Sequence, residues 1–186
     1  MHPRELSPFA SWRRPLWLAL LVASSVAFTL GFACAVPLAA FAAAAALTLP
    51  RRQALLLAGA VWLANQIAGF AVLGYPWDAA TLAWGGALGI VALLATVAAQ
   101  AAAPRRARAG SAAAALAGFA AAFLVYEGTL FLISLAVGAT ADFTADIVAW
   151  ILTMNAAAML GLMLLHRLGE IVGLAPAPLP LRQRPA

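Results

Sequence analysis

The chain has 186 residues, of which 66% are hydrophobic and 9% charged, and a formal net charge of +5. A soluble domain carries about 25% charged and about 45–50% apolar residues, so this composition, with a mean hydropathy of +0.98, excludes a water-soluble fold and equally a disordered chain. No segment alternates apolar and polar residues over about ten positions, which excludes an outer-membrane barrel and leaves an all-α, polytopic membrane protein.

Five apolar stretches follow one another along the chain. The first, residues 16–49, is too long for one straight helix and short for two, since one crossing takes about 20 residues. Gly31 and Pro37 near its middle predict a turn. The other four, residues 53–73, 79–103, 111–137 and 147–165, fit one crossing each. All eleven basic residues are Arg, in short clusters between the apolar runs. Their natural partner is the lipid bilayer and its anionic headgroups rather than nucleic acid.

The distribution of Arg chooses between five and six spans. With residues 16–49 as one helix, Arg4, Arg13 and Arg14 fall on one side and the other eight Arg on the opposite side. With a tight hairpin turning near residues 32–37, all eleven fall on the cytoplasmic side, and Asp78, Asp142 and Asp146 outside. The expectation is six transmembrane helices, the first two a short hairpin, with both termini inside (N-in/C-in), in a bacterial inner membrane. Residues 1–14 are then a cytoplasmic segment and residues 15–172 a single transmembrane domain. Residues 173–186, rich in Pro, read as a disordered cytoplasmic tail. A competing reading takes Arg13, Arg14, the apolar run and Ala33-Cys34-Ala35 as a signal peptide with its cleavage site, which leaves five spans.

A polar side chain in hydrocarbon needs a partner, and an ionisable one is a functional candidate. Glu127 lies well inside the span from Ser111 to Val137, somewhat nearer its outer end. No Arg sits inside the spans to pair with it, so it points to a proton or a cationic ligand. Asn65 and Gln66 lie slightly outward of the centre of the third span, and Asn155 lies at similar depth in the sixth. Trp62, Trp84, Tyr126 and Trp150 gather at that level or above it, and Tyr75 and Trp77 sit in the loop over it. Aromatic walls with a few placed polar groups are the usual form of a small-molecule site. A ligand would stack on Trp62, Trp84 or Trp150 and pair any positive charge with Glu127. The same Trp residues also read as interfacial anchors, and the amides as interhelical hydrogen bonds.

Gly85 and Gly89 have the G-x-x-x-G spacing, and residues 39–46 give several small-x-x-x-small spacings, which allow close helix approach. Asp146 reads as the N-cap of the last helix. His2 and His166 are far apart and Cys34 is the single Cys, so no metal or other cofactor is expected. The chain has no G-x-S-x-G, no H-E-x-x-H and no P-loop, and is not expected to be an enzyme.

Six short spans, cytoplasmic termini, no soluble domain and outward polar and aromatic residues resemble the substrate-binding S component of an energy-coupling-factor (ECF) transporter. The resemblance implies a subunit that binds a vitamin or related nutrient from outside. It also implies association with a transmembrane coupling subunit and a pair of ATPases. That family meets its coupling subunit through Ala-x-x-x-Ala on its first helix; the nearest match here is Ala39-x-x-x-Ala43 on the second. The alternative function is a non-catalytic accessory or assembly subunit of a larger membrane complex.

Overall fold

The computed structural model describes residues 12–32, 36–103, 111–141 and 143–175. They form six helices: α1 (Arg13–Phe32), α2 (Leu38–Thr48), α3 (Arg51–Ala71), α4 (Ala79–Ala102), α5 (Ala112–Val137) and α6 (Ala145–Ile171). No strand occurs among the described residues. All but α2 are long and apolar enough to cross a membrane.

The first apolar stretch breaks where Gly31 and Pro37 predict, but into unequal parts. α1 takes 20 residues and is long enough to cross, whereas α2 takes 11. At 1.5 Å per residue α2 is about 16 Å long, about half the hydrocarbon thickness. Its sequence, LAAFAAAAALT, is small and apolar all round. A helix without a polar face is held by burial on every side. α2 meets that requirement: residues Leu38 to Ala45 are all buried, enclosed by α3, α4, α5 and α6. The alanines let four neighbours approach a single axis, so the shortest helix is the core of the molecule.

Side-chain contacts fix the direction of each helix. Arg14 Nε donates to Gln53 Oε1 at 3.1 Å, and Asn65 Nδ2 donates to Ser25 Oγ at 3.0 Å, so α1 and α3 run parallel. Gln100 Nε2 donates to the Arg51 carbonyl at 3.4 Å and Trp62 Nε1 to the Gly85 carbonyl at 2.7 Å, so α3 and α4 are antiparallel. Gly118 of α5 lies against Ala99 and Ala103 of α4, while Ser134 shares a cleft with Trp84, which makes α4 and α5 antiparallel. α2 turns back onto α3 through Leu49 and Pro50 alone. α6 runs parallel to α2, because Asn155 meets Ala40 and His166 lines a void with Thr48. The bundle therefore alternates in direction from α1 to α6. Arg13, Arg14, Arg51, Arg52 and Arg167 sit at one end, and Asp78 and Thr144 at the other.

The helix ends follow local chemistry. Asp78 caps α4 by accepting from the Thr81 N–H at 2.7 Å, and its hydrogen bonds to Thr81 hold its carboxyl below the ordinary value of 3.8. At α6 the expected cap is corrected. Thr144, in extended conformation, accepts from the Ile147 N–H, and Asp146 lies in the first turn instead. The helix starts at Ala145, ahead of the apolar run from Ile147, which moves Asp146 inside it. There its charge complements the helix dipole.

At the other end of α6, Gly173 takes φ +72° and the Leu174 N–H returns to the Gly169 carbonyl at 2.7 Å, the usual glycine stop. Residues 173–175 of the expected tail thus fold back, with Ala175 buried beside Trp17 and Gly169. Residues 1–11 and 176–186, the signal-peptide site at 33–35, the Arg cluster at 105–108 and Asp142 lie outside the described residues.

Candidate functional site

The polar residues picked out by depth separate into three places. Asn65 of α3 is tied to α1. Its Nδ2 donates to Ser25 Oγ and, at 2.7 Å, to the Val61 carbonyl, and its Oδ1 accepts from the Thr29 hydroxyl. The hydroxyls of Ser25 and Thr29 also reach carbonyls of their own helix, at Val22 and Ser25. This buried cluster is the seam between α1 and α3.

Gln66 and Trp62, one turn apart on α3, lie in the seam with α4. A Cβ at Gly85 would stand 2.5 Å from Gln66 Oε1, and one at Gly89 2.7 Å from the Trp62 ring. The G-x-x-x-G spacing therefore seats two side chains, and the indole N–H bonds the Gly85 carbonyl. Asn155 does different work. It is 1% exposed and its Oδ1 accepts from the Ala40 N–H at 3.1 Å, while its Nδ2 donates to the Ile151 carbonyl at 3.0 Å. α2 begins at Pro37 with no capping side chain of its own. The first N–H groups of a helix lack partners within it, and hydrocarbon supplies none. Asn155, about 15 Å along α6 from its start, provides the missing acceptor.

Glu127 stands apart from these seams. It is 8% exposed, and neither carboxylate oxygen has a hydrogen-bond partner. Among the described residues Glu170 pairs with Arg167, and His166 stands 3.5 Å from the same carboxylate. Glu127 shares one face of α5 with Leu130 and Ser134, at i+3 and i+7. Those two residues, with Trp84 and Leu88 of α4 and Ala139 and Phe143 of the following loop, line a cleft of about 370 Å³. The loop turns there because Gly138 adopts φ +71°, letting the Ala139 N–H bond the Ser134 carbonyl at 2.9 Å. Phe143 comes back over the cleft and packs edge-on against Phe131, with ring centroids 5.4 Å apart. A second void, between Trp17, Thr48 and His166, holds about 10 Å³, room for one water at most.

Of the expected ligand residues, Trp84 lines the cleft, Glu127 lies one turn beneath it, and buried Tyr126 adjoins Glu127 in sequence. Trp62, Asn65, Gln66 and Asn155 are engaged between helices. Trp150 is 58% exposed on the outside of the bundle. Tyr75 and Trp77 fold over Phe70 at the end of α3, the Trp77 ring 4.3 Å away. Ala39 and Ala43 are 0% exposed, covered by this chain's own helices, so a partner helix would have to displace one of these to reach them. Ser134, Leu130, Leu88 and Phe143 join the site without having been singled out in the sequence. The spacing from Glu127 to Leu130 and Ser134 carries the signal for the first two, since it marks one helical face. Among the described residues His, Cys, Asp and Glu nowhere gather in threes, as a metal centre would need.

The fold is that of a helical, membrane-embedded protein, with a cleft of ligand size near the end opposite the described arginines. Comparison with protein-family models, with curated proteins and with solved structures finds no match.

Proposed function

We propose that the chain is an integral membrane subunit that takes a small, nutrient-like molecule from the outer side for uptake, in the manner of an ECF S component. The cleft between α4, α5, Ala139 and Phe143 carries this reading. Its volume of about 370 Å³ falls within the roughly 300–1,000 Å³ of small-molecule sites. Its walls are aromatic and aliphatic, with a hydroxyl from Ser134. The positive-inside rule turns the Arg-bearing end towards the cytoplasm. With six helices alternating in direction, both termini are then inside and the cleft lies at the outer face of a bacterial inner membrane. Below the cleft, α2 and its four neighbours close the inner half of the bundle.

The chain has no Lys and therefore no P-loop to drive release inward. The work comes from partners, a transmembrane coupling subunit with ATPases. They dock on a surface other than Ala39 and Ala43, which the bundle covers.

The test is recovery of the tagged protein from its native membrane in mild detergent, with mass spectrometry of the proteins and small molecules that come with it. The expected result is a retained small molecule that is lost from Trp84→Ala and Leu130→Trp but kept by Trp150→Ala. Undiminished retention in both cleft variants refutes the cleft as the site. Recovery of a defined complex without ATPases or small molecule makes the chain an accessory subunit instead.

A further inference from the structure

We infer that the cleft takes a small organic cation, an aromatic or aliphatic body bearing a terminal ammonium group, whose charge is met by Glu127. The inference rests on the reading of the cleft as a ligand site and adds the chemistry of the ligand. Two separate observations carry it.

The first is the unpartnered acid. A buried carboxyl is normally hydrogen-bonded or paired. Glu127 is 8% exposed with both oxygens unpartnered. The buried amides are committed elsewhere. Asn65 is bound to Ser25 and Thr29, and Asn155 to Ala40 and Ile151. The described arginines lie at the far end of the bundle, where Arg167 pairs with Glu170. Glu127 finds no hydrogen-bond partner among the described residues, whereas a ligand with ammonium donors would supply what it lacks.

The second observation is geometric. On the same face of α5, Glu127 stands about 4.5 Å below Leu130 and about 10 Å below Ser134 along the helix. Trp84 and Phe143 flank the cleft at its upper level and Leu88 and Leu130 lower down. The level of the rings suits an apolar body, and Trp84 also attracts cations over its face. Glu127 does not itself line the cleft but lies one helical turn below Leu130, which does, so a short arm passing Leu130 would bring a charged head to it. A neutral ligand would fill the cleft and could offer the carboxyl at most an uncharged hydrogen bond. An anion would find no described Arg beside it.

The closing experiment uses two probes of one shape, 2-phenylethylammonium and its uncharged counterpart 2-phenylethanol. Binding is measured at pH 7 to the full chain in lipid nanodiscs. The wild type should prefer the cation by at least about tenfold, the minimum expected of a hydrogen bond to a charged group. Glu127→Gln should erase that preference and leave 2-phenylethanol unchanged. Glu127→Asp should keep part of it. Thermal unfolding of each variant establishes that it is folded. Should Glu127→Gln fail to fold, the wild-type comparison of the two probes still decides.

Equal binding of both probes overturns the assignment of a cationic ligand and leaves the cleft standing. So does a cation preference that survives intact in folded Glu127→Gln. Binding of neither probe also overturns the assignment, while the cleft is judged separately by the small molecule retained from the native membrane.

Discussion

Two buried asparagines, each hydrogen-bonded across a helix seam, differ in what their loss would leave behind. Removing Asn65 strands nothing, because the hydroxyls of Ser25 and Thr29 each have a carbonyl of α1 to turn to, at 2.7 and 3.1 Å. Removing Asn155 strands the Ala40 N–H, which sits in the first turn of a buried helix with no other acceptor recorded. Interhelical hydrogen bonds in membranes average about 0.6 kcal/mol and reach about 1.7, whereas an orphaned buried donor costs about 1–3 kcal/mol. Asn155→Leu is therefore expected to destabilise the protein by about 1–3 kcal/mol, and Asn65→Leu by less than about 1 kcal/mol. Reversible unfolding in mixed micelles measures both, and equal losses would refute the capping role of Asn155. The sequence marks both residues as polar at mid-depth but is silent on this difference, since a cap that α6 provides for α2, far back along the chain, is a tertiary fact.

At the scale of the element, the seam between α3 and α4 shows how a glycine pair is used. The spacing of Gly85 and Gly89 is legible in the sequence as a close-approach surface, but what approaches is not. It is the side chains of Gln66 and Trp62. A methyl at Gly85 meets the end of a flexible side chain, which can swing aside. A methyl at Gly89 would stand 2.7 Å from a half-buried indole whose N–H is held by the Gly85 carbonyl. Gly86 has open space around it. Overpacking of a rigid contact costs about 1–3 kcal/mol, and alanine gains up to about 1 kcal/mol over glycine in a helix. Gly89→Ala should therefore lower the unfolding midpoint, Gly85→Ala should change it little, and Gly86→Ala should hold or raise it. Pairing Gly89→Ala with Trp62→Ala should bring a loss well short of the sum of the two, because the clash disappears with the ring. An additive double variant would mean that the indole is not what Gly89 accommodates.

For the whole molecule, the long first stretch is the ambiguous part of the sequence, and the ambiguity has a physical origin. Hydropathy measures apolar length against a bilayer, and residues 16–49 fit neither one crossing nor two. The resolution is a full-length α1 and a half-length α2, and the latter is held by protein rather than lipid. The sequence carries the sign of this in the apolar run of residues 39–46, all Ala but Phe41, which has no face for water and little bulk for lipid. Direction is more legible than span count. A reversal between α1 and α2 puts Arg13 and Arg14 beside Arg51 and Arg52, and the Arg14–Gln53 hydrogen bond joins those same helix starts. If positive residues stay inside, reporters of sidedness fused after Arg14, in the 103–111 link and after Ala175 should all report the cytoplasm. Reporters inserted in the Tyr75–Trp77 turn and after Gly138 should report the outside. The decisive position is the first, because a chain with five crossings and α2 merely appended would place Arg14 opposite Arg52. Replacing both Arg51 and Arg52 with neutral residues removes the charge that holds the α2–α3 turn inside. The unequal hairpin should then be the first part of the topology to become mixed, with the reporter after Arg14 splitting between the two sides while those beyond α4 stay fixed.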